Sequence, residues 1–388
     1  MRDWFRELRS FFRKGDMVLL TICLITSAYG CLVIASATNA SKFGSSTRYI
    51  VIQVAATLLG LLAYAAMSSI DLDFLSEHRT ALAVLNVGML LLLIPFGTDA
   101  GTGNRSWLDF PFLPVNIQPA EICKIFYIII MASVMGSRQN RISSVPSVLL
   151  MAGHLILIVG TNMVLSRDLG VTLIFIFIFL AMAFAGGVSM IWFLLGGGAV
   201  VAAFPFLWNN FMSDRQKDRI LYILQPEVID PKGLGVGWHT SQSLLSLTGG
   251  GMLGQGLFNG NRTQAGALFA QHTDYIFSTI GEELGFTGCL LVIVLLALIV
   301  ARCIWVGNHS SDFMRRMVCF GAAGAMIFQI CINVGMCVGL VPVIGLTLPL
   351  FSYGGSSIVT IYAMLGLVSG VHARPAPTSH ERYIRAPR

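Results

Sequence analysis

Tyr275 to Val300 reads YIFSTIGEELGFTGCLLVIVLLALIV, and directly before it stand Gln271-His272-Thr273-Asp274. As a helix the run would rise about 39 Å, enough to cross a hydrocarbon core of about 30 Å. Its only charged residues are Glu282 and Glu283. Working outward, apolar runs of similar length recur at Met17 to Ala37, Tyr49 to Ile70, Thr80 to Thr98, Val115 to Met135, Val145 to Leu165, Leu169 to Ala185, Val188 to Trp208, Met317 to Val341 and Ile344 to Val371. The chain has 388 residues, 55% of them hydrophobic and 11% charged, with a mean hydropathy of +0.76. Soluble, disordered and secreted classes are excluded. The expected architecture is an all-α polytopic membrane protein of ten transmembrane helices, a single domain over residues 1–388.

The formal charge of +6 marks topology and not a nucleic-acid face, because the basic residues are scattered. Arg2, Arg6, Arg9, Arg13, Lys14, Arg79, Arg138, Arg141, Arg302, Arg315, Arg316, Arg374, Arg382, Arg385 and Arg388 fall on one side of a ten-span chain. Only Lys42, Arg48, Arg105 and Arg167 fall in short loops on the other. The positive-inside rule then puts both termini in the cytoplasm. Residues 1–16 read as a cytoplasmic amphipathic segment resting on membrane lipids, and residues 372–388 as a cytoplasmic tail. Ala35-Ser36-Ala37 looks like a signal-peptidase site, but the run before it is longer than a signal h-region, so an uncleaved first helix is expected. The 8 cysteines lie in or beside apolar runs, which argues against disulfides and Cys-ligated metal.

Residues 209–274 break the pattern as a large extracytoplasmic loop between helices 7 and 8. A connection this long usually binds something. Within it, the glycines from Gly249 to Gly256 lack the lysine and hydroxyl of a phosphate loop, and are read as tight turns or close approach to a lipid or glycan. His239 and His272 have no companions at metal spacing.

Polar residues inside or at the rim of spans are expensive and therefore candidates for function. Gln118, Glu121 and Lys124 recur at three-residue steps in the fourth run, as a self-neutralising Glu121–Lys124 pair or as a polar lining near an anionic headgroup. Arg105, beside Trp107, suits bidentate recognition of a diphosphate. Asp168 reads as a helix N-cap or as a polar contact to the site. Asp274 stands where the loop enters the membrane at a helix N-terminus, which suits a cap, a general base, or both. Glu282 and Glu283, about two turns deeper, need partners or a polar cavity and read as structural or relay-like.

Four segments together resemble the SEDS family (shape, elongation, division and sporulation) over nearly the whole chain. They are Asn104-Arg-Ser-Trp-Leu with Gln118-Pro-Ala-Glu-Ile-Cys-Lys124; Asp168-Leu-Gly170; Gln242-Ser243 through Gly256 and Thr263-Gln264, on to His272-Thr-Asp-Tyr-Ile-Phe277 and Glu282-Glu283; and Pro342 to Pro349 with Ser352-Tyr-Gly-Gly-Ser-Ser357. Pro342-Val343-Ile344-Gly345 is nearer the elongation member RodA, whereas Leu346-Thr347-Leu348-Pro349 is nearer the division and sporulation members. Ala120 stands where family members often carry Ser, and Ser166-Arg167 where many carry Gln-Pro.

The resemblance implies a peptidoglycan glycosyltransferase that polymerises lipid II into β-1,4 glycan with inversion on the outer face of the membrane. It implies Asp274 as the catalytic aspartate, and Arg105, Lys124 and Arg219 as groups neutralising the leaving diphosphate, with or without a divalent cation such as Mg or Mn. Gln118, Glu121, Asp168, Gln242, Ser243, Thr263, Gln264, His272, Ser352 and Ser356 would contact lipid II or the nascent glycan. The implied partner is a class B penicillin-binding protein, a transpeptidase. A lipid II flippase or secondary transporter would also need spans and in-membrane charge, but the candidates cluster towards one side without an internal repeat. A non-catalytic scaffold for the cell-wall machinery is the third reading, and Asp274 argues against it.

Overall fold

The computed structural model describes residues 15–40, 46–98, 105–109, 116–210, 212–268 and 270–374. The amphipathic segment expected at 1–16 and the tail expected at 372–388 lie outside these ranges except for 15–16 and 372–374. Among the described residues nine helices are long and apolar enough to cross a bilayer, and a tenth apolar helix is shorter. The protein is an all-helical, multi-pass membrane bundle.

Helix α1 spans Met17–Ala37 and α2 spans Ser46–Ser69. A short α3, Leu72–Glu77, leads to α4, Arg79–Leu91, and α5, Leu93–Phe96. Leu92 keeps helical dihedrals, so α4 and α5 run on as one span over Arg79–Phe96, and the third expected span ends before Gly97–Thr98, which pairs as β1 with β2, Trp107–Leu108. Next come α6, Pro119–Ser137; α7, Val145–Leu165; α8, Leu169–Ala185; and α9, Met190–Asn210. Helix α8 is the short one, its 17 residues rising about 26 Å. None of the described α9 side chains is buried, whereas most of α6 is.

Residues 209–274 are largely helical. They carry α10, Asp214–Leu224; α11, Pro226–Ile229; α12, Trp238–Gly250; and α13, Asn261–Gln264. A capping box between Ser213 and Gln216 starts α10, satisfying backbone N–H groups that a helix start leaves open.

The apolar run from Tyr275 to Val300 becomes α14, Ile276–His309, which has 34 residues. At about 51 Å it exceeds the hydrocarbon thickness, and it is broken at Gly285 (φ 66°, ψ −164°). The break leaves backbone groups that water cannot reach. Residues 251–256 satisfy them: Phe286 and Thr287 donate their N–H groups to the Gly251 and Met252 carbonyls at 2.9 and 3.2 Å, and Gln255 and Gly256 donate theirs to the Glu282 and Glu283 carbonyls at 3.0 and 2.9 Å. The glycine-rich series thus makes tight turns, with positive φ at Gly251, Gly254 and Gly256, and its close approach is to the backbone of α14 instead of a lipid or glycan. At Gly250 a Cβ would overlap the Gly281 carbonyl.

Helix α15 spans Phe313–Cys337, and the last helix, α16, spans Gly355–Ala373. The tenth span therefore begins at Gly355, and the residues from Ile344 to Gly354 are irregular backbone instead of helix. Pro342, Pro349 and the positive φ of Gly345 and Leu350 prevent a continuous helix there. Gln53 of α2 receives the Gly354 N–H at 3.3 Å and donates to the Ser352 carbonyl at 3.2 Å, tying this arm to the bundle.

One end of the bundle is laced by arginines. Arg302 meets Asp16 at 2.9 Å and Arg315 meets Asp73 at 3.0 Å; Arg374 donates to the Ile70 carbonyl at 3.0 Å and Arg79 to the Ser137 hydroxyl at 3.1 Å. These contacts gather the starts of odd-numbered spans and the ends of even-numbered ones, as an antiparallel ten-span chain requires. Asp274 lies at the other end.

Candidate active site

Asp274 precedes α14 but does not cap it. Tyr275 holds the N-cap position, and no side chain closes the cap. What fixes Asp274 is its backbone. Its carbonyl accepts from the Asn333 amide at 2.8 Å and faces the Cys337 thiol at 3.7 Å, both on α15. The preceding Thr273 carbonyl accepts from the Ser352 hydroxyl at 2.6 Å, and the His272 carbonyl from the Tyr353 N–H at 2.8 Å. Loop, α15 and the irregular arm therefore meet at His272-Thr273-Asp274.

The Asp274 side chain is half-buried, and Gly345 of the arm faces it, since a Cβ there would stand 3.6 Å from Oδ2. Burial raises its carboxyl from the ordinary 3.8 to about 6, the Arg219 guanidinium pulls it back, and the Asp168 charge adds to the rise. Arg219 extends from the amphipathic α10, exposed, and donates to the Val343 carbonyl at 3.0 Å. A carboxylate that ionises just below neutrality, beside a guanidinium with unspent donors, can take a proton while a nearby anion is stabilised.

Asp168 caps α8 by accepting from the Val171 N–H at 3.1 Å. Its other oxygen receives Ser106 and Gln118, each at 3.4 Å, so cap and polar contact coexist. Its carboxyl is raised, first by burial, against the hydrogen bonds it accepts and with the help of Glu121. Gln118 sits before the first turn of α6, so it does not share a helix face with Glu121 and Lys124. Those two form a buried ion pair at 2.8 Å, with relative exposures of 4% and 3%. Thr360 of α16 donates to the second Glu121 oxygen at 3.0 Å. This is the self-neutralised arrangement, with the Lys124 charge already engaged. Arg105 is exposed and donates to the Gly97 and Ile94 carbonyls, each at 2.9 Å, closing the end of α5.

The loop candidates mostly hold the loop itself. Arg262 donates to Gln242. Ser243 is buried and donates to the Cys337 carbonyl at 2.7 Å. Glu282 accepts from the Arg262 N–H at 2.7 Å and from the Thr263 N–H and hydroxyl at 3.0 and 2.7 Å. Glu283 accepts from Ser36 at 2.8 Å, Gln264 at 2.9 Å and the Phe258 N–H at 3.3 Å. Both glutamates are structural staples, and Ser36 of the Ala-Ser-Ala triplet is one of their donors inside an intact helix. His272 packs edge-on to Tyr49 and tilted to Tyr353, with ring centroids at 5.2 and 5.6 Å. Ser352 is buried against Thr273, while Ser356 is half-buried in the first turn of α16.

Among the described residues no three His, Cys, Asp or Glu side chains converge as metal ligands. Glu121 and Asp168, the carboxylates among the candidates besides Asp274, are engaged as above. Asn333 and Gly345 were not singled out from sequence. Asn333 is legible in principle as an amide inside an apolar run, which must find partners there.

A sequence model of the FtsW/RodA/SpoVE family, described as cell cycle protein, matches residues 16–376. The peptidoglycan glycosyltransferase MrdB of Escherichia coli K12 is 32% identical over 361 residues, covering 92% of this chain and 93% of that protein. The probable peptidoglycan glycosyltransferase FtsW of Trichlorobacter lovleyi is 32% identical over 379 residues, covering 94% and 96%. A chain of a solved peptidoglycan synthase complex, described as coordinating polymerization and crosslinking, matches with a TM-score of 0.75 at 28% identity, covering 92% of this chain and 97% of its own. The rod shape determining protein RodA of Thermus thermophilus matches with a TM-score of 0.68 at 26% identity, covering 94% and 98%. With the family model matched from residue 16 to residue 376, across every span, and a fold shared with the solved RodA, this chain belongs to the FtsW/RodA/SpoVE family.

Proposed function

We propose that this chain, a peptidoglycan glycosyltransferase of that family, polymerises lipid II into β-1,4 glycan by an inverting mechanism. Asp274 takes the proton from the acceptor 4-hydroxyl as its oxygen bonds to the donor anomeric carbon. The bond to the lipid diphosphate breaks on the opposite face, and both electrons leave with the diphosphate. Arg219 is the cation placed to stabilise that leaving group, because its remaining N–H donors are compatible with phosphate oxygens. Arg105 is exposed enough to assist, whereas Lys124 is withheld by Glu121. One observation carries the reading: a carboxyl held by its backbone among three elements, facing the arm whose Val343 carbonyl holds the Arg219 guanidinium.

The same reading places the Asp274 end outside the cytoplasm and both termini inside, with the arginine-laced end against the anionic inner surface. An impermeant thiol reagent on Lys232→Cys in intact cells tests this, and labelling only after lysis would reverse the orientation. A class B penicillin-binding protein is the proposed partner, consistent with a solved relative's place in a peptidoglycan synthase complex. The elongation role rests on Pro342-Val343-Ile344-Gly345, since relatives named MrdB and FtsW match at the same 32%. Depletion of the chain giving round cells supports that role, and filaments would favour division.

The break at Gly285 favours one second reading, transport of lipid II, because transporters bind substrate at discontinuous helices. Here the break is filled by residues 251–256 and both adjacent glutamates are bonded by the chain itself, which leaves no open polar site. Purified protein with labelled lipid II, its transpeptidase and moenomycin separates the readings. Glycan from the wild type and none from Asp274→Asn is expected; glycan from Asp274→Asn removes the base, and lipid movement without chain growth favours transport.

A further inference from the structure

Asn333 is fully buried on α15, one turn before Cys337. Its Nδ2 donates to two carbonyls, that of Asp274 at 2.8 Å and that of Leu346 at 2.6 Å. A primary amide has two diverging hydrogens and both are used. Reversing the amide would set its oxygen against two carbonyl oxygens, so the orientation is fixed by its partners. Its Oδ1 is buried with no hydrogen-bond partner among the described residues, which gives the side chain no other visible task.

The two carbonyls belong to the two segments that meet at the Asp274 carboxylate. One is the backbone of the acid. The other belongs to the arm whose Gly345 faces the Asp274 carboxylate and whose Val343 carbonyl holds Arg219. Together with the bonds from Ser352 and Tyr353 to residues 272–273, this side chain sets the spacing between the acid, the arm it faces and, through the Val343 carbonyl, the Arg219 guanidinium. We propose that Asn333 is a positioning residue for polymerisation, locking the Asp274 backbone to the Val343–Leu346 arm so that the carboxylate meets the acceptor hydroxyl at fixed depth. This role rests on Asp274 being the base. The charged groups acting on Asp274 are Arg219 from α10 and Asp168 from the start of α8, with the Tyr275 phenol and the Cys337 thiol nearby.

The test uses purified full-length protein and labelled lipid II across a pH series. Asn333→Leu keeps similar volume without donors, and Asn333→Gln keeps both donors one methylene further out. Both are expected to elute monodisperse, to keep KM within about twofold and to lose about a hundredfold in kcat, the scale of a 1 Å misplacement. The acid limb of kcat, expected near pH 6 in the wild type, should move down as the freed carboxylate gains water. If Asn333→Leu fails to insert, the limb of Asn333→Gln decides. A folded variant with unchanged kcat and limb overturns the role, as does activity that falls only with folded protein while the limb stays put. Asp274→Asn, measured alongside, separates the two claims: if it still makes glycan, base and positioning both fall; if it is inactive while Asn333→Leu behaves as wild type, positioning alone falls.

Discussion

Gly285→Ala is the sharpest perturbation of the fold. Its φ of 66° and ψ of −164° lie in a region essentially reserved for glycine, and holding another residue there costs about 1–3 kcal/mol. A Cβ would also stand 2.4 Å from the Gly254 nitrogen and 2.6 Å from the Met252 carbonyl. Those are backbone atoms and cannot swing aside. Residues 251–256 would have to withdraw, taking with them the hydrogen bonds of Phe286, Thr287, Gln255 and Gly256 across the break. At about 0.5–1.5 kcal/mol each, these add about 2–6 kcal/mol, more where the freed groups face hydrocarbon. The expected loss is at least about 3 kcal/mol, read as a large fall in apparent melting temperature in detergent and faster proteolysis of the 251–256 segment. Gly88→Ala and Gly153→Ala are the controls: nothing lies within 4 Å of a Cβ at either, so a helix interior should be unchanged or gain up to about 1 kcal/mol. A Gly285→Ala protein melting with its controls would refute the account of the break.

Lys124→Met leaves Glu121 buried without its cation and should destabilise by about 3–5 kcal/mol, whereas Glu121→Gln with Lys124→Met should recover much of the abundance; a double variant as depleted as the single one would contradict the paired reading. Arg219→Ala removes the charge that holds the Asp274 carboxyl down, so the acid limb should move above pH 6 while glycan synthesis falls; a downward shift would be inconsistent with Arg219 acting on Asp274. Because burial raises the Asp274 carboxyl to about 6, the stability it contributes is present below its ordinary 3.8 and lost as pH rises through about 6. Asp274→Asn should therefore raise the melting temperature at pH 8 and not at pH 3.5, and an equal gain at both would show that desolvation is not the cause.

Hydropathy located the spans because the bilayer imposes one length and one polarity on every crossing. Met17–Ala37, Val145–Leu165 and Leu169–Ala185 are helical over the residues expected from sequence, the last with Asp168 as its legible cap. The same measure misread Ile344 to Gly354, since apolar residues buried in protein look alike whether helical or irregular. Pro349, Gly345 and Gly354 were the breakers within that run. Asp274 was legible as a carboxylate at a membrane rim, but its fixings were not. Asn333 and Ser352 are uncharged, and their partners are carbonyls that no sequence pattern displays. Motif membership likewise does not reveal that Thr263 and Gln264 donate to Glu282 and Glu283.

A carboxylate at the start of an uninterrupted helix could be displayed to water but not held in a desolvated niche with its direction fixed. Around Asp274 the chain departs from helix in the 270–275 turn and the 342–354 arm, and deeper along α14 at Gly285. Each departure frees polar backbone groups where water is scarce, and each is closed by a particular donor or acceptor: Asn333, Ser352, Gln53 and the 251–256 loop. The bonds that make irregular backbone tolerable in the bundle are therefore the bonds that locate the acid. Stability and catalytic geometry should be inseparable at Ser352, whose hydroxyl bridges the Leu348 N–H and the Thr273 carbonyl, and separable at Glu121–Lys124, a pair that balances itself without fixing the Asp274 backbone.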